Sequence, residues 1–319
     1  MRVDIIRAFV LAVFVAAVTA CTGTATTRSP IPGVTAPATS APSALTSPAA
    51  SAITVRDDAG RIVTLAAPPA RIVSAAPSTT ELAFAVGLGD EVVAVDEFSN
   101  YPPEASSRTS IGSYIEPDLE TIIGARPDLV LVTDVHLAEL VPALDEQGIP
   151  TLVLSARNIE GVLLNLLLLG QLVGDDTEAE RVVADLRARI AAVDARVAGR
   201  DLVSVFYELD PSLFTAGPGS FIDDVIRRAG GRNIAATAGE AFPQLSAEEV
   251  IQSDPTVILL ADEVAGVTPD AVASRAGWTT VSAVESGRIV VIDPDIGSRP
   301  GPRVVDALEV IAAALHPED

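Results

Sequence analysis

The chain has 319 residues, 49% of them hydrophobic and 4% aromatic, with 43 acids against 21 bases and a net charge of −22. Every base is arginine. That length suits one large or two medium domains, and the acidic excess excludes a nucleic-acid partner, which demands basic patches.

The N-terminus reads as a targeting segment over residues 1–20. Arg2 and Arg7 flank its start, and Ala8 to Val18 is an apolar run, shorter than the ~20 residues of a transmembrane helix. Cys21 is the only cysteine, so no intrachain disulfide is possible. Val18-Thr19-Ala20-Cys21 resembles a bacterial lipobox. The resemblance implies cleavage before Cys21 and a lipid on its sulfur and amine. Residues 21–52 are Thr, Ser, Pro and Ala with almost no charge, a composition that buries no core and predicts a disordered tether.

From Ile53 the pattern becomes that of a folded body. Ile53 to Leu65 predicts a hairpin turning at Asp58-Ala59-Gly60, and Arg71 to Ala75 a buried strand. Ser78 with Glu81 reads as a capping box for a helix through Val86, closed by Gly87. Val92 to Val95 predicts a strand, Asp96–Ser113 a long polar loop, Pro117 to Ala125 a helix and Asp128 to Val132 a strand. A helix over Ala138 to Gln147, a strand over Thr151 to Leu154 and a helix over Ile159 to Val173 follow. After residue 200 the scheme restarts, with strands at Leu202 to Tyr207, Thr256 to Leu260 and Arg288 to Ile292. Helices are predicted at Phe221 to Ala229, Leu245 to Gln252, Pro269 to Ala276 and Arg303 to Leu315. Strands alternating with helices predict parallel sheets covered on both faces.

Between the halves lies Asp176 to Gly199. Its apolar residues Ala179, Val182, Val183, Leu186, Ile190, Val193 and Val197 form one helical stripe. Thr177 with Glu180 reads as a capping box, and Arg181–Asp185 and Asp185–Arg189 as ion pairs at spacing four. Leu119 to Val132 and Ala247 to Leu260 match each other: an early Glu, a Pro seven residues later, then an apolar strand. This internal repeat predicts two α/β lobes, 53–175 and 200–319, flanking one bridging helix, 176–199.

Catalytic signatures are missing: there is no G-x-S-x-G elbow, no P-loop and no H-E-x-x-H. The two histidines, His136 and His316, cannot build a His-rich metal cage. His136 reads as a loop histidine and His316 as a solvated tail residue. Ligands of open parallel sheets bind beyond the carboxyl ends of the strands. Loops there carry Tyr101, Tyr114, Phe214 and Phe242, aromatics suited to a flat organic ligand, although Phe214 reads better as a plug against the core and Trp278 as packing. Arg299 and Arg303 are candidates to meet a carboxylate or phosphate on a ligand, although Arg303 reads equally as the start of the last helix.

Arg71 to Gly87, Asn100-Tyr101-Pro102-Pro103, Arg126 to Val130 and Phe214 to Gly217 resemble the substrate-binding proteins of iron–siderophore, haem and cobalamin ABC importers. The resemblance covers roughly residues 54–315. It implies two Rossmann-like lobes bridged by one long rigid helix, the class III arrangement, and no enzymatic activity or resident cofactor, the ligand itself bringing iron or cobalt. The nearest branch is the cobalamin binders. In it Tyr101, Tyr114 and Phe242 occupy positions of ligand-contacting aromatics, and tryptophan is usual at the last two. Glu120 and Glu248 match the acids, one per lobe, that dock onto permease arginines. A haem ligand would take Tyr114 or His136 as its axial ligand; a siderophore would use Arg108, Arg157, Arg232 or Arg299. The implied protein is a lipoprotein at the extracytoplasmic face of the cell membrane that delivers a metal chelate or tetrapyrrole to a permease and its ATPase. An extracytoplasmic sensor, a scaffold or a metal chaperone on the same fold is the alternative.

Overall fold

The computed structural model describes residues 52–174, 176–262 and 265–317. The targeting segment 1–20, Cys21 and the tether up to residue 51 lie outside the described residues.

The body begins with β1 (Ile53–Arg56) and β2 (Ile62–Leu65), an antiparallel hairpin pairing Ile53 with Leu65. Then come β3 (Ile72–Ser74), α1 (Pro77–Ala85), β4 (Val92–Val95), a 3₁₀ turn at Pro103–Ser107 and β5 (Thr109–Ser110). They are followed by α2 (Leu119–Gly124), β6 (Leu129–Val132), α3 (Leu140–Glu146), β7 (Thr151–Val153) and α4 (Ile159–Val173). The five strands β3 to β7 form one parallel sheet in the order β5-β4-β3-β6-β7. After α5 (Thr177–Val197) come β8 (Val203–Glu208), α6 (Phe221–Arg228), β9 (Gly231–Asn233), α7 (Ala247–Ser253), β10 (Val257–Leu260) and α8 (Pro269–Ala273). The chain ends with α9 (Ser282–Glu285), β11 (Ile289–Val291), α10 (Pro294–Gly297) and α11 (Val304–Leu315). The second parallel sheet runs β11-β10-β8-β9. Strands β6 and β10 are buried along their whole length, as both-face coverage requires.

The two sheets share one topology: the run β4-β3-β6-β7 corresponds to β9-β8-β10-β11. The internal repeat sits at the same place in each. Arg126 at φ 51°, two residues past the end of α2, and Asp254 at φ 41°, the cap of α7, are both left-handed and stand directly before Pro127 and Pro255. Proline bars the residue ahead of it from right-handed helical angles, so the chain turns there and runs straight into β6 or β10.

The bridging helix α5 buries Ala179, Val183, Leu186, Ile190 and Val193. It packs against α4 of the first half and α11 of the second. Each fully buried Leu, Ile or Val of that stripe contributes about 1.5–3 kcal/mol. Close approach to α4 depends on Gly170, where an added Cβ would lie 2.6 Å from the Ala179 methyl. Ion pairs fix the helix on both sides: Arg187 to Glu160 of α4 at 2.8 Å, and Arg189 to Asp306 and Glu309 of α11 at 2.5 and 2.7 Å.

Several local expectations change. The cap of α5 is Asp176, so Thr177 is its first helical residue rather than the cap of a capping box. Arg181 pairs with Asp185 at 2.9 Å, but Arg189 turns away from Asp185 to α11, where two carboxylates converge on it. Ser78 and Glu81 form no capping box either. Pro77 opens α1 with Ala76 as its cap, which places Ser78 inside the first turn. Strand β9 and the short helices α9 and α10 have too few residues to show a period in the sequence.

Candidate functional site

Where the two sheets' carboxyl ends face each other, a cavity of about 420 Å³ opens between the halves. The first half supplies Ser78 of α1, Phe98, Tyr114, Thr133, Asp134 and Arg157; the second supplies Phe221, Phe242, Asp295, Ser298 and Arg299. This is the place the strand-end rule for open α/β sheets selects. Phe98 and Tyr114 stand edge to face, ring centroids 6.1 Å apart and planes at 79°. With Phe242 half exposed across the cavity, aromatic surface lines both walls, ready to bury a flat ligand.

Three of the four expected ligand contacts, Tyr114, Phe242 and Arg299, line this cavity. Tyr101 does not. Its ring lies over the Arg303 guanidinium, 4.1 Å from centroid to carbon, beside a separate groove bounded by α1, α5 and α11. Phe214, expected as a plug against the core, is instead exposed and pairs its backbone with Gln244. Trp278 is buried against Phe206 as expected of a packing residue. Phe98 went unrecognised in the sequence. Its loop was marked, but one Phe in a polar stretch gives no pattern.

Arg299 is held in place before any ligand arrives. It contacts Asp295 at 2.5 Å, donates to the Asn100 side-chain oxygen at 2.8 Å and lies 3.7 Å from Glu81. Glu81 in turn takes a forked pair from Arg303 at 2.6 and 3.0 Å. Asn100 closes the set by donating to Asp295 at 2.7 Å. Glu81 and Asn100 belong to the first half, Asp295, Arg299 and Arg303 to the second, so the group links the halves at the edge of the cavity. Burial pushes the Glu81 carboxyl up, against the pull of Arg303. The forked geometry is the arrangement that best offsets such desolvation. The sequence hid it, because the partners are 222 residues apart.

His136 is buried, correcting the exposed-loop expectation. Its Nδ1 accepts the Thr133 N–H at 3.0 Å, and its Nε2 bonds the Tyr114 carbonyl at 2.6 Å, so Nε2 carries the proton. Burial holds its pKa below the ordinary imidazole range, against those two bonds. With both nitrogens engaged it cannot serve as an axial haem ligand. What it does instead is fix the backbone of Tyr114 at the cavity wall. His316 is also buried, packed against Gly230. Among the described residues no group of three or more His, Cys, Asp or Glu is placed to hold a metal ion.

Glu120 and Glu248 sit in the first turns of α2 and α7, at topologically equivalent points of the two halves. Both are exposed, and neither makes an ion pair among the described residues. Asp118 caps α2, accepting from Glu120 and Thr121 N–H, while Ser246 and Glu249 make the capping box of α7. Neither docking candidate is therefore needed as a cap.

Comparison with known proteins decides the family. The model of the periplasmic binding protein family matches residues 72–296. The chain belongs to the periplasmic binding protein family. A cobalamin-binding protein of Halobacterium salinarum is 32% identical over 274 residues, 83% of this chain and 74% of that one. An uncharacterised ABC transporter substrate-binding lipoprotein of Bacillus subtilis, YvrC, is 29% identical over 275 residues, 83% of this chain and 86% of that one. The periplasmic haem-binding protein RhuT from Roseiflexus, in its apo form, superposes with a TM-score of 0.69 at 28% identity, covering 77% of this chain and 97% of that one. The class III architecture of two α/β lobes bridged by one helix is thus the family's own. The family binds and hands over substrates and is not enzymatic. Among the described residues no helix is long and apolar enough to cross a membrane.

Proposed function

We propose that this chain is the extracytoplasmic substrate-binding lipoprotein of an ABC importer. A lipid on Cys21 holds it to the membrane, residues 21–52 form the tether, and lobes 53–175 and 200–319 joined by 176–199 form the receptor body. The proposed ligand is a corrinoid of the cobalamin type. The carrying observation is a cavity with aromatic surface on both walls and no free imidazole. A corrinoid completes its own axial coordination, so it needs flat apolar walls more than a protein ligand to its metal. Haem would depend on Tyr114 alone, since His136 is engaged on both nitrogens. A polyanionic siderophore would find only Arg157 and Arg299 on the wall, and Arg299 already serves two carboxylates.

Calorimetric titration of the purified full-length chain with cyanocobalamin, haemin and ferric siderophores tests this reading. Saturable binding of the corrinoid is expected. Binding of haemin alone, with a Soret shift lost in Tyr114→Phe, would replace it, and no binding to any of them would promote the sensor or scaffold. For docking, Glu120 and Glu248 are proposed to meet arginines of the permease. Glu120→Ala with Glu248→Ala is expected to abolish uptake while leaving ligand affinity unchanged; undiminished uptake would refute the assignment.

A further inference from the structure

Within the cavity, α1 presents something the other long helices at the site do not. Its cap residue is Ala76, which has no side chain to accept from the first turn, and its N1 residue is Pro77, which has no N–H. The N–H groups of Ser78 and Thr79 therefore point out of the helix without intrahelical acceptors. The first turn holds no acid, so the partial positive charge of the helix end, roughly half an elementary charge, is not offset locally. By contrast α6, whose N-terminus also borders the cavity, is capped by Ser220 and carries Asp223 and Asp224 in its first turn.

A second observation concerns Ser78 itself. The residue is 95% buried, lines the cavity, and its hydroxyl has no hydrogen-bond partner among the described residues. Its neighbours Thr79 and Thr80 spend their hydroxyls on Ser74, Ser99 and the Ala76 carbonyl. The Ser78 hydroxyl oxygen is not among the sealed-off unpartnered atoms of the core, so it still meets whatever fills the cavity. The charged side chains facing it from the rest of the wall are Asp134, Arg157, Asp295 and Arg299. They pair among themselves, Arg157 with Asp134 at 3.6 Å and Arg299 with Asp295 at 2.5 Å. What remains uncompensated is the positive end of α1 and the donor on Ser78.

We propose that the N-terminus of α1, through the Ser78 hydroxyl and N–H, is an oxyanion subsite of the cavity, seating a phosphodiester or carboxylate carried by the ligand. It rests on the receptor reading above and specifies the ligand: a macrocycle with an oxyanion arm, the arm at α1 and the flat face between Tyr114 and Phe242. In a corrinoid the arm is the phosphodiester of the nucleotide loop; in a porphyrin it is a propionate.

The test uses the purified full-length chain and Ser78→Ala, which removes the hydroxyl and leaves the helix. The first probe needs no organic ligand: thermal stabilisation by inorganic phosphate relative to chloride at equal ionic strength. Wild-type protein is expected to be stabilised by phosphate, and Ser78→Ala less so. Equal effects of the two salts on wild type would overturn the subsite even if a corrinoid binds. The second probe compares cyanocobalamin with a corrinoid lacking the nucleotide loop, and haemin with its dimethyl ester. Ser78→Ala is expected to weaken the phosphodiester or carboxylate ligand about tenfold while leaving its arm-less partner unchanged. The sensitive pair identifies the arm. Equal loss for both members of each pair, or no loss for any, would overturn the proposal. If no macrocycle binds while phosphate still stabilises the wild type more than Ser78→Ala, the receptor reading fails and the subsite stands; equal stabilisation of both proteins is the general effect of an excluded salt and would overturn the subsite.

Discussion

The carboxyl ends of β3 and β8 occupy the same place in the two halves and are finished with opposite chemistry. After β3 comes a chain of buried neutral hydroxyls. Ser74 bonds Thr79 at 2.7 Å and Thr80 at 2.8 Å, Thr80 reaches Ser99 at 2.8 Å, and Ser99 donates to Asp96. After β8 comes charge. Glu208, fully buried, takes a forked pair from Arg275 at 2.5 and 2.6 Å, and Arg275 stacks over Trp278 at 4.7 Å. Asp262 sits beside them, buried, its carboxyl pushed up to about 7 by burial and by the charge of Glu208. Hydroxyls are small and both give and accept, so one end stays narrow and lets α1 present its N-terminus to the cavity. Carboxylate and guanidinium consume each other, so Glu208 and Arg275 offer nothing to the cavity and do not line it. One scaffold thus yields a receptive strand end and a self-paired one.

The largest way to break the contrast is Arg275→Ala. It leaves Glu208 buried without its counter-charge, and a loss of about 3–5 kcal/mol is expected in urea unfolding. Replacing Glu208 and Arg275 together by Met and Leu should lose far less than the single change, because no charge is then stranded. At the receptive end, Thr80→Val removes the donor that joins Ser74 to Ser99, and about 1–3 kcal/mol is expected. If Thr80→Val proved the more damaging of the two, the description of the β8 end as the charged, high-stakes one would be wrong.

The third prediction sharpens the contrast through pH. The folded chain holds a proton on Asp262 that the unfolded chain releases above about pH 4. The folded state then binds more protons between about 4 and 7, so this residue's contribution to stability falls as pH rises through that window. Asp262→Asn removes the decline. Its melting temperature relative to wild type is expected to be higher at pH 8 than at pH 5, and an equal difference at both would refute the assignment.

How far the sequence carried this picture depends on range. The stripe of α5 was legible because its period is local, and so were the twin helix–proline–strand units, where Pro127 and Pro255 punctuate the chain. Tyr114, Phe242 and Arg299 were found because loops beyond strand ends are where open sheets bind. The failures share a cause. Glu81 fitted a local capping pattern, yet its partner Arg303 is brought in by the fold from the far end of the chain. Ser78, on a loop beyond a strand end, fails only as a cap: Pro77 starts the helix ahead of it and leaves Ser78 on the cavity wall. Tyr101 lay in the right loop, but its ring turns to a cation that no local pattern announces.

His136 offers the smallest effect and the counterpart to Asp262. It lies just past β6, in the half with the receptive end, and is held neutral by burial. The unfolded chain takes up a proton near pH 6.5 while the folded chain resists until lower pH. The unfolded state therefore binds more protons in that window, and the stability due to a neutral His136 is full above about 6.5 and lost as pH falls below it. The sign is opposite to that of Asp262. A variant in which Gln takes this position cannot titrate, so its stability relative to wild type should improve between pH 7 and pH 5 by at most about 1 kcal/mol. Acidification puts the second proton on Nδ1, which breaks the bond it accepts from the Thr133 N–H, so the same acidification should loosen Thr133, which lines the cavity with Tyr114. Ligand affinity of the wild type is then expected to drop by a few-fold at pH 5 and to stay level in His136→Gln. A drop of the same size in both would move the acid sensitivity away from His136 and onto the carboxylates of the cavity.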